Sequence, residues 1–207
     1  MGFDGVGDTA AGRGASGKDA GRAGAGPQLR LSGQCPRHGE IAAGALQGRE
    51  KGAKVGDVYV ADSLESGVRL FPDEGGREID VTFSDEKMTH VEFVMTVDKS
   101  TWSGPSGLRL GSPMADVVAA NKGRPLKING FDWDYGGWVS DANGGPLNGL
   151  AGKECAFGVK LDTTAALSEN DGDKIIGEGV TVTSTDPLVI RAKPVISEMS
   201  IMFRPKP

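Results

Sequence analysis

A helix with both ends marked, and room for only about ten residues between the marks, sets the terms for this chain. It lies in Gly107–Pro125. Ser112 can accept a hydrogen bond from an orphan N–H of the first turn, and Pro113 suits the first helical position, where its missing N–H costs nothing. Met114, Val117, Val118 and Asn121 follow at the i, i+3, i+4, i+7 spacing of a one-sided stripe. Asp116 lies near the positive end of the dipole and Lys122 near the negative end. Gly123 can take a left-handed cap, and Pro125 forbids continuation. So short a helix is marginal by itself. It must lie on other structure, and what surrounds it reads as strand.

Before the helix, Val58-Tyr59-Val60 is a short strand. Val68, Leu70 and Phe71 form another, ended by the turn signal Pro72-Asp73-Glu74-Gly75-Gly76. Ile79, Val81 and Phe83 alternate with Asp80, Thr82 and Ser84; after a turn at Ser84-Asp85-Glu86-Lys87, Val91, Phe93 and Met95 alternate with His90, Glu92 and Val94. These two runs predict an antiparallel hairpin with one buried face. Beyond the helix, Leu126 and Ile128 begin a strand, and Gly136-Gly137 breaks the next extended run as a bulge or hairpin. Phe157, Val159 and Leu161 alternate with Gly158 and Lys160. Ala165, Ala166 and Leu167 could seed a helical turn, and Ser168 to Asp173 reads as an exposed loop. Val180 to Thr183 is a short strand, Asp186-Pro187 starts a helical turn, and Met199, Ile201 and Phe203 alternate in a closing strand. The expected class is α+β: a curved antiparallel β-sheet with one or two short helices packed on one face, a single domain over residues 51–207.

Residues 1–50 differ from that pattern. Thirteen are Gly and nine Ala, with Phe3 the only aromatic and no period of 2 or 3.6. Such a segment cannot bury enough apolar area to offset its ordering entropy. It reads as a disordered tail or as mis-translated, out-of-frame sequence, in which case the true N-terminus, with any signal peptide it carried, has been lost. As it stands, the start shows neither the n-region and h-region of a secretory signal nor a myristoylation signal. The net charge of −5 and the scattered basic residues argue against a nucleic-acid partner. No run is long and apolar enough for a transmembrane helix. Two cysteines, Cys35 and Cys155, allow one disulfide. Leu31-Ser32-Gly33-Gln34-Cys35 is one residue too long for a lipobox and follows no apolar run, so Cys35 reads as a plain loop cysteine.

The candidate site is the aromatic and acidic run that follows the helix: Asp132, Trp133, Asp134, Tyr135 and Trp138. In an extended segment, Phe131, Trp133 and Tyr135 share one face and Asp132 and Asp134 the other. Rings beside carboxylates can bind sugars, because sugar C–H faces stack on rings while carboxylates accept from hydroxyls. The simpler account buries the rings beneath the helix. Asp132, Asp134 and Asp141 do not match an EF-hand loop, since Gly136 and Asn143 occupy required ligand positions. With only His38 and His90, no ligand pair has zinc-site spacing. No nucleophile elbow or phosphate loop is present. A glycosidase pair could be drawn from Asp132 with Glu92 or Asp141, but nothing selects it. No catalytic residue, metal or cofactor is assigned.

Several pieces from Val68 to the end together resemble a family of small secreted or lipid-anchored bacterial proteins. They are Leu70-Phe71-Pro72-Asp73 with the strand after it, Gly107-Leu108-Arg109-Leu110-Gly111 with its helix, Asn121-Lys122-Gly123-Arg124-Pro125-Leu126, the run Asn129-Gly130-Phe131-Asp132-Trp133-Asp134-Tyr135-Gly136-Gly137, and Ser197-Glu198-Met199-Ser200-Ile201. The Gly-Phe-x-Trp-Asp-Tyr-Gly-Gly motif is the most specific of them. The resemblance implies a periplasmic or cell-envelope location and carries no catalytic residues. More loosely, the strand, short helix and Gly-x-Pro look like the unit in small outer-membrane assembly lipoproteins and β-lactamase-inhibitor-like domains, which bind proteins. The expected function is a non-enzymatic envelope domain that binds a protein or a cell-wall component. The alternatives are a glycan-acting enzyme or carbohydrate-binding module using the Phe131–Trp138 cluster, and a purely structural module.

Overall fold

The marked helix lies where the sequence puts it, and strands surround it. The computed structural model describes residues 52–60, 63–149 and 155–203. In chain order the strands are β1 (Lys54–Val60), β2 (Ser63–Leu70), β3 (Ile79–Phe83) and β4 (Val91–Thr96). Helix α1 (Met114–Ala120) follows, then β5 (Lys127–Asn129), β6 (Val139–Asp141) and the single turn α2 (Pro146–Gly149). The chain continues through β7 (Cys155–Asp162), α3 (Glu169–Gly172), β8 (Thr181–Thr183), α4 (Pro187–Ala192) and β9 (Val195–Phe203). The class is α+β with antiparallel sheets, as expected. The strands divide between two sheets: six in the order β1-β2-β3-β4-β9-β7, and three in the order β6-β5-β8. The expectations for residues 1–50, including the Cys35 loop, lie outside the described residues. Cys155 is buried and disulfide-bonded.

One core lies between the β7–β9 end of the large sheet, the small sheet and the helices. Met114 and Val117 of α1 and Val189 and Ala192 of α4 meet Val159, Leu161, Ile196 and Met199 there. Leu126, Ile128, Leu161, Ile196 and Met199 are almost fully removed from water; each such side chain contributes about 1.5–3 kcal/mol of transfer free energy. A second cluster joins Val68, Leu70, Ile79 and Val81 to Ile201 and Phe203 on the same sheet face.

Local details depart from the sequence reading in instructive ways. Ser112 does not cap α1: Pro113 holds the N-cap position, and Ser112 Oγ accepts from the Arg109 N–H at 3.1 Å in the preceding turn. The C-terminus closes on two left-handed residues, Lys122 and Gly123, with the Gly123 N–H on the Val118 carbonyl. The exposed loop expected at Ser168 to Asp173 contains α3, while 165–167 is not helical. There Ser168 supplies a carbonyl to the N–H groups of Asp171 and Gly172.

The β3–β4 hairpin is present, and Ile79, Val81, Phe83 and Val91 face the core as expected, but Phe93 and Met95 do not. The register shifts between Thr82 and Phe83, so that Thr82 opposes Phe93 and Phe83 opposes Val91. The extra residue flips the side-chain alternation. Val91 and Val94 turn to the core, and Phe93 and Met95 turn to the opposite face of the sheet. That face is covered over β3, where Asp80 and Thr82 are buried at 3% and 0% exposure. Arg69 straddles Asp80 with two hydrogen bonds of 2.8 Å. Val58 packs on Gly67, the cross-strand partner of Thr82.

Candidate functional site

The strand register sets Arg69, Asp80, Met95, Ser200 and Gly158 in one row across the outer face of the large sheet, with Gly67, Thr82, Phe93, Met202 and Ala156 in the next. Towards β7 these rows are not covered by another layer. They floor a groove of about 620 Å³. Phe93, Met95, Ser200, Met202 and the small residues Ala156 and Gly158 make the floor; Val60 of β1 forms one side, and Tyr135, Trp138 and Asn148 form the other. A second cavity of about 400 Å³ shares Met95 and Glu198 with it and reaches the Arg69–Asp80 pair.

The aromatic run reaches this groove by a turn. Residues 130–138 are not extended: Asp132 takes a left-handed φ of 58°, and the Gly136 N–H closes on the Trp133 carbonyl at 2.7 Å. The rings therefore do not share a face. Phe131 is in the core, bound on both sides to β8's approach through the Ile175 carbonyl and the Gly177 N–H. Trp133 is half-buried, with its indole N–H on the Gly130 carbonyl at 2.8 Å and its ring edge-on to Tyr135 at 5.7 Å. Tyr135 is 59% exposed. Asp132 and Asp134 are exposed and do not line the groove. Of the five candidate residues, the structure thus brings Tyr135 and Trp138 to one cavity, supports them with Trp133, and leaves the two aspartates outside.

Trp138 is fixed from two directions. Its carbonyl accepts from the Asn129 N–H at 2.9 Å, tying it to the small sheet, and it bridges to Lys160 on the edge of β7. Next to it, Gly137 has a φ of 74° and lies so close to the Leu161 carbonyl that any Cβ would collide with it. The Trp138 ring lies over Gly158, where an added Cβ would come within 2.8 Å of ring atom Cζ3. Glycine at 158 is what lets a large ring lie against the sheet.

Glu198 is the groove's one carboxylate. It has no hydrogen-bond or ion-pair partner among the described residues. Burial pushes its pKa up; Lys160, its cross-strand neighbour, opposes the shift, and Asp162 adds to it. In the second cavity, the hydrogen bonds that Arg69 donates to Asp80 push the guanidinium pKa up, against the lowering effect of burial. Among the described residues, no group of three or more His, Cys, Asp or Glu side chains is placed to hold a metal ion. No helix among them is long and apolar enough to cross a membrane.

Sequence reasoning missed Phe93, Met95, Glu198, Ser200 and Met202 as site residues. Phe93 and Met95 were hidden by the bulge. Glu198, Ser200 and Met202 were legible in principle: once Met199, Ile201 and Phe203 face the core, period 2 sends their neighbours to the other face. No protein-family model, curated protein or solved structure matches the chain.

Proposed function

We propose that this is a non-enzymatic binding domain of the bacterial cell envelope, which holds a segment of a partner protein in the groove across the outer face of its large sheet. The observation that carries this reading is the groove itself: an apolar floor of Phe93, Met95 and Met202 beside an aromatic wall, with a few polar groups among them. That composition is what concave binding sites share. The larger cavity's lining carries one carboxylate, Glu198, where glycoside hydrolysis ordinarily uses a pair. The envelope assignment draws on the resemblance of the Gly-Phe-x-Trp-Asp-Tyr-Gly-Gly run and on the disulfide at Cys155, since disulfides persist in oxidising compartments.

A second reading has one observation in its favour. Tyr135 presents a largely exposed ring beside Trp138, a surface on which a sugar could stack. Tryptophan fluorescence separates the two. In a protein carrying Trp102→Phe and Trp133→Phe, Trp138 is the only reporter. Peptides drawn from envelope proteins, but not peptidoglycan fragments, are expected to shield it from acrylamide. Shielding by peptidoglycan fragments alone would replace the protein reading with the glycan one. Failure of both to shield it would remove the groove as a site.

A further inference from the structure

The groove that the proposed function uses also carries a charge pattern that narrows its occupant. Glu198 sits where the two cavities meet, half-buried and without a hydrogen-bond or ion-pair partner among the described residues. The cavity beyond it is lined by Glu78, Asp80, Asp98 and Glu198 against one guanidinium, that of Arg69. Arg69 is already held by both oxygens of Asp80. Lys160 lies across from Glu198 on β7 but forms no ion pair with it. A desolvated carboxylate without a donor is an unfavourable arrangement that a positively charged group relieves. The walls beside it suit the same guest. Phe93, Trp138 and Tyr135 are among the groove's lining residues, and aromatic rings attract cations through their quadrupole. Met95 and Met202 give an adaptable surface for an aliphatic stem.

Resting on the groove reading, we infer that the occupant is a basic peptide segment of a partner protein, with a lysine or arginine side chain laid along Met95 and its cationic head at Glu198. The acidic cavity beyond Glu198 would accept a second basic residue, and the apolar floor under Phe93 and Met202 would take the uncharged residues that precede the first. Charge complementarity of this kind acts on specificity and encounter rate more than on total affinity.

The test uses the full chain, immobilised and panned against a random twelve-residue peptide library. Each selected peptide is then synthesised in two forms, native and with every Lys or Arg replaced by norleucine. Both are titrated calorimetrically against the wild-type protein, Glu198→Gln and Ala156→Trp, the last of which fills the floor. Selected peptides should be rich in Lys or Arg. Glu198→Gln should weaken binding of the native peptide about tenfold and norleucine replacement at least as much, and Glu198→Gln should weaken binding of the norleucine peptide no further, because the contact it removes is already gone. Non-basic selected peptides, or effects that simply add, overturn the basic-segment inference. The groove reading survives that result if Ala156→Trp abolishes binding and the Trp138 indole N–H resonance of the wild type shifts on peptide addition. An unmoved indole resonance with every peptide overturns the groove reading itself, whatever Ala156→Trp does to folding.

Discussion

Replacing Asn121 by alanine tests how the groove's rim is held. Asn121 is fully buried at the end of α1. Its Nδ2 donates to the carbonyls of Arg124 at 3.1 Å and Ala142 at 2.9 Å, and its Oδ1 accepts from the Leu147 N–H at 3.3 Å. One side chain thus ties the helix end to the segment that carries α2. That segment delivers Leu147 and Asn148 to the groove wall. In Asn121→Ala the Arg124 carbonyl lies on an exposed residue and can return to water. The Ala142 carbonyl keeps its bond from the Gly145 N–H at 2.8 Å, but the Leu147 N–H belongs to a residue 7% exposed and loses its acceptor. Leaving one buried polar group unpaired costs about 1–3 kcal/mol, a sizeable part of the 5–15 kcal/mol of a typical domain. Urea unfolding followed by far-UV circular dichroism would give the change in midpoint at constant slope. Asn121→Asp keeps the acceptor for Leu147 but turns a carboxylate towards two carbonyls, and should be at least as damaging. A loss below about 0.5 kcal/mol in Asn121→Ala, the range of an ordinary surface substitution, would refute the pin.

Three further outcomes follow from the same geometry. Asp186→Ala removes the side chain that accepts from the Leu188 N–H at 2.8 Å at the start of α4; it should lower stability by about 1 kcal/mol, read as a urea midpoint. Gly137→Ala adds a Cβ against the Leu161 carbonyl at a left-handed φ; overpacking and the conformational penalty together predict a loss of about 2–5 kcal/mol and a changed Trp138 fluorescence maximum. Glu198 has a folded-state pKa raised from 4.5 by burial, so the native state binds more protons than the unfolded one as pH rises above that value, and stability falls with rising pH through that window. Glu198→Gln removes this dependence; its stability advantage over the wild type should grow as pH rises above 4.5 and then level off, and a constant or shrinking difference in urea midpoints would contradict the burial argument.

The parts of this molecule written in local sequence were readable, and the parts written in register were not. The helix at Met114–Ala120, the turn after Phe71, the β7 alternation of Val159 with Leu161 and the Asp186-Pro187 start of α4 each depend on residues within a few positions of one another. Asn121 was placed on the helix stripe, but its role as a pin depends on Ala142 and Leu147, about twenty and more residues away in the chain. The β4 bulge reverses the faces of Phe93 and Met95, and no period in the sequence announces a single extra residue at Glu92. The aromatic run was read as extended because its spacing alternates; the left-handed Asp132 and the close approach of Gly136 to the Gly130 and Trp133 carbonyls make it a turn instead. Alternation alone cannot distinguish a strand from a turn stabilised by its glycines.

The volumes of a few side chains explain why the groove exists where it does. An antiparallel sheet can leave one face in water, and such a face is ordinarily levelled by side chains of similar size. Here the two cross-strand rows run large over β4, with Phe93 and Met95, and then drop to Ser200, Ala156 and Gly158 on β9 and β7. Met202 breaks the drop on one side. The hollow left by the small residues is then walled by Trp138, which cannot approach Gly158 closely unless position 158 lacks a Cβ. Trp138 in turn is brought there by Gly137, whose conformation and contact with Leu161 no other residue would accept. Glycine in the interior of a strand and a non-glycine left-handed residue at Asp132 are both locally unfavourable. The first lies on the cavity floor near Glu198, a carboxylate raised in pKa by burial, and the second, outside the cavity, turns the run that carries Tyr135 and Trp138 to its wall. The glycines at 137 and 158 and the small side chains of Ala156 and Ser200 together make the hollow, and the binding function proposed above rests on it.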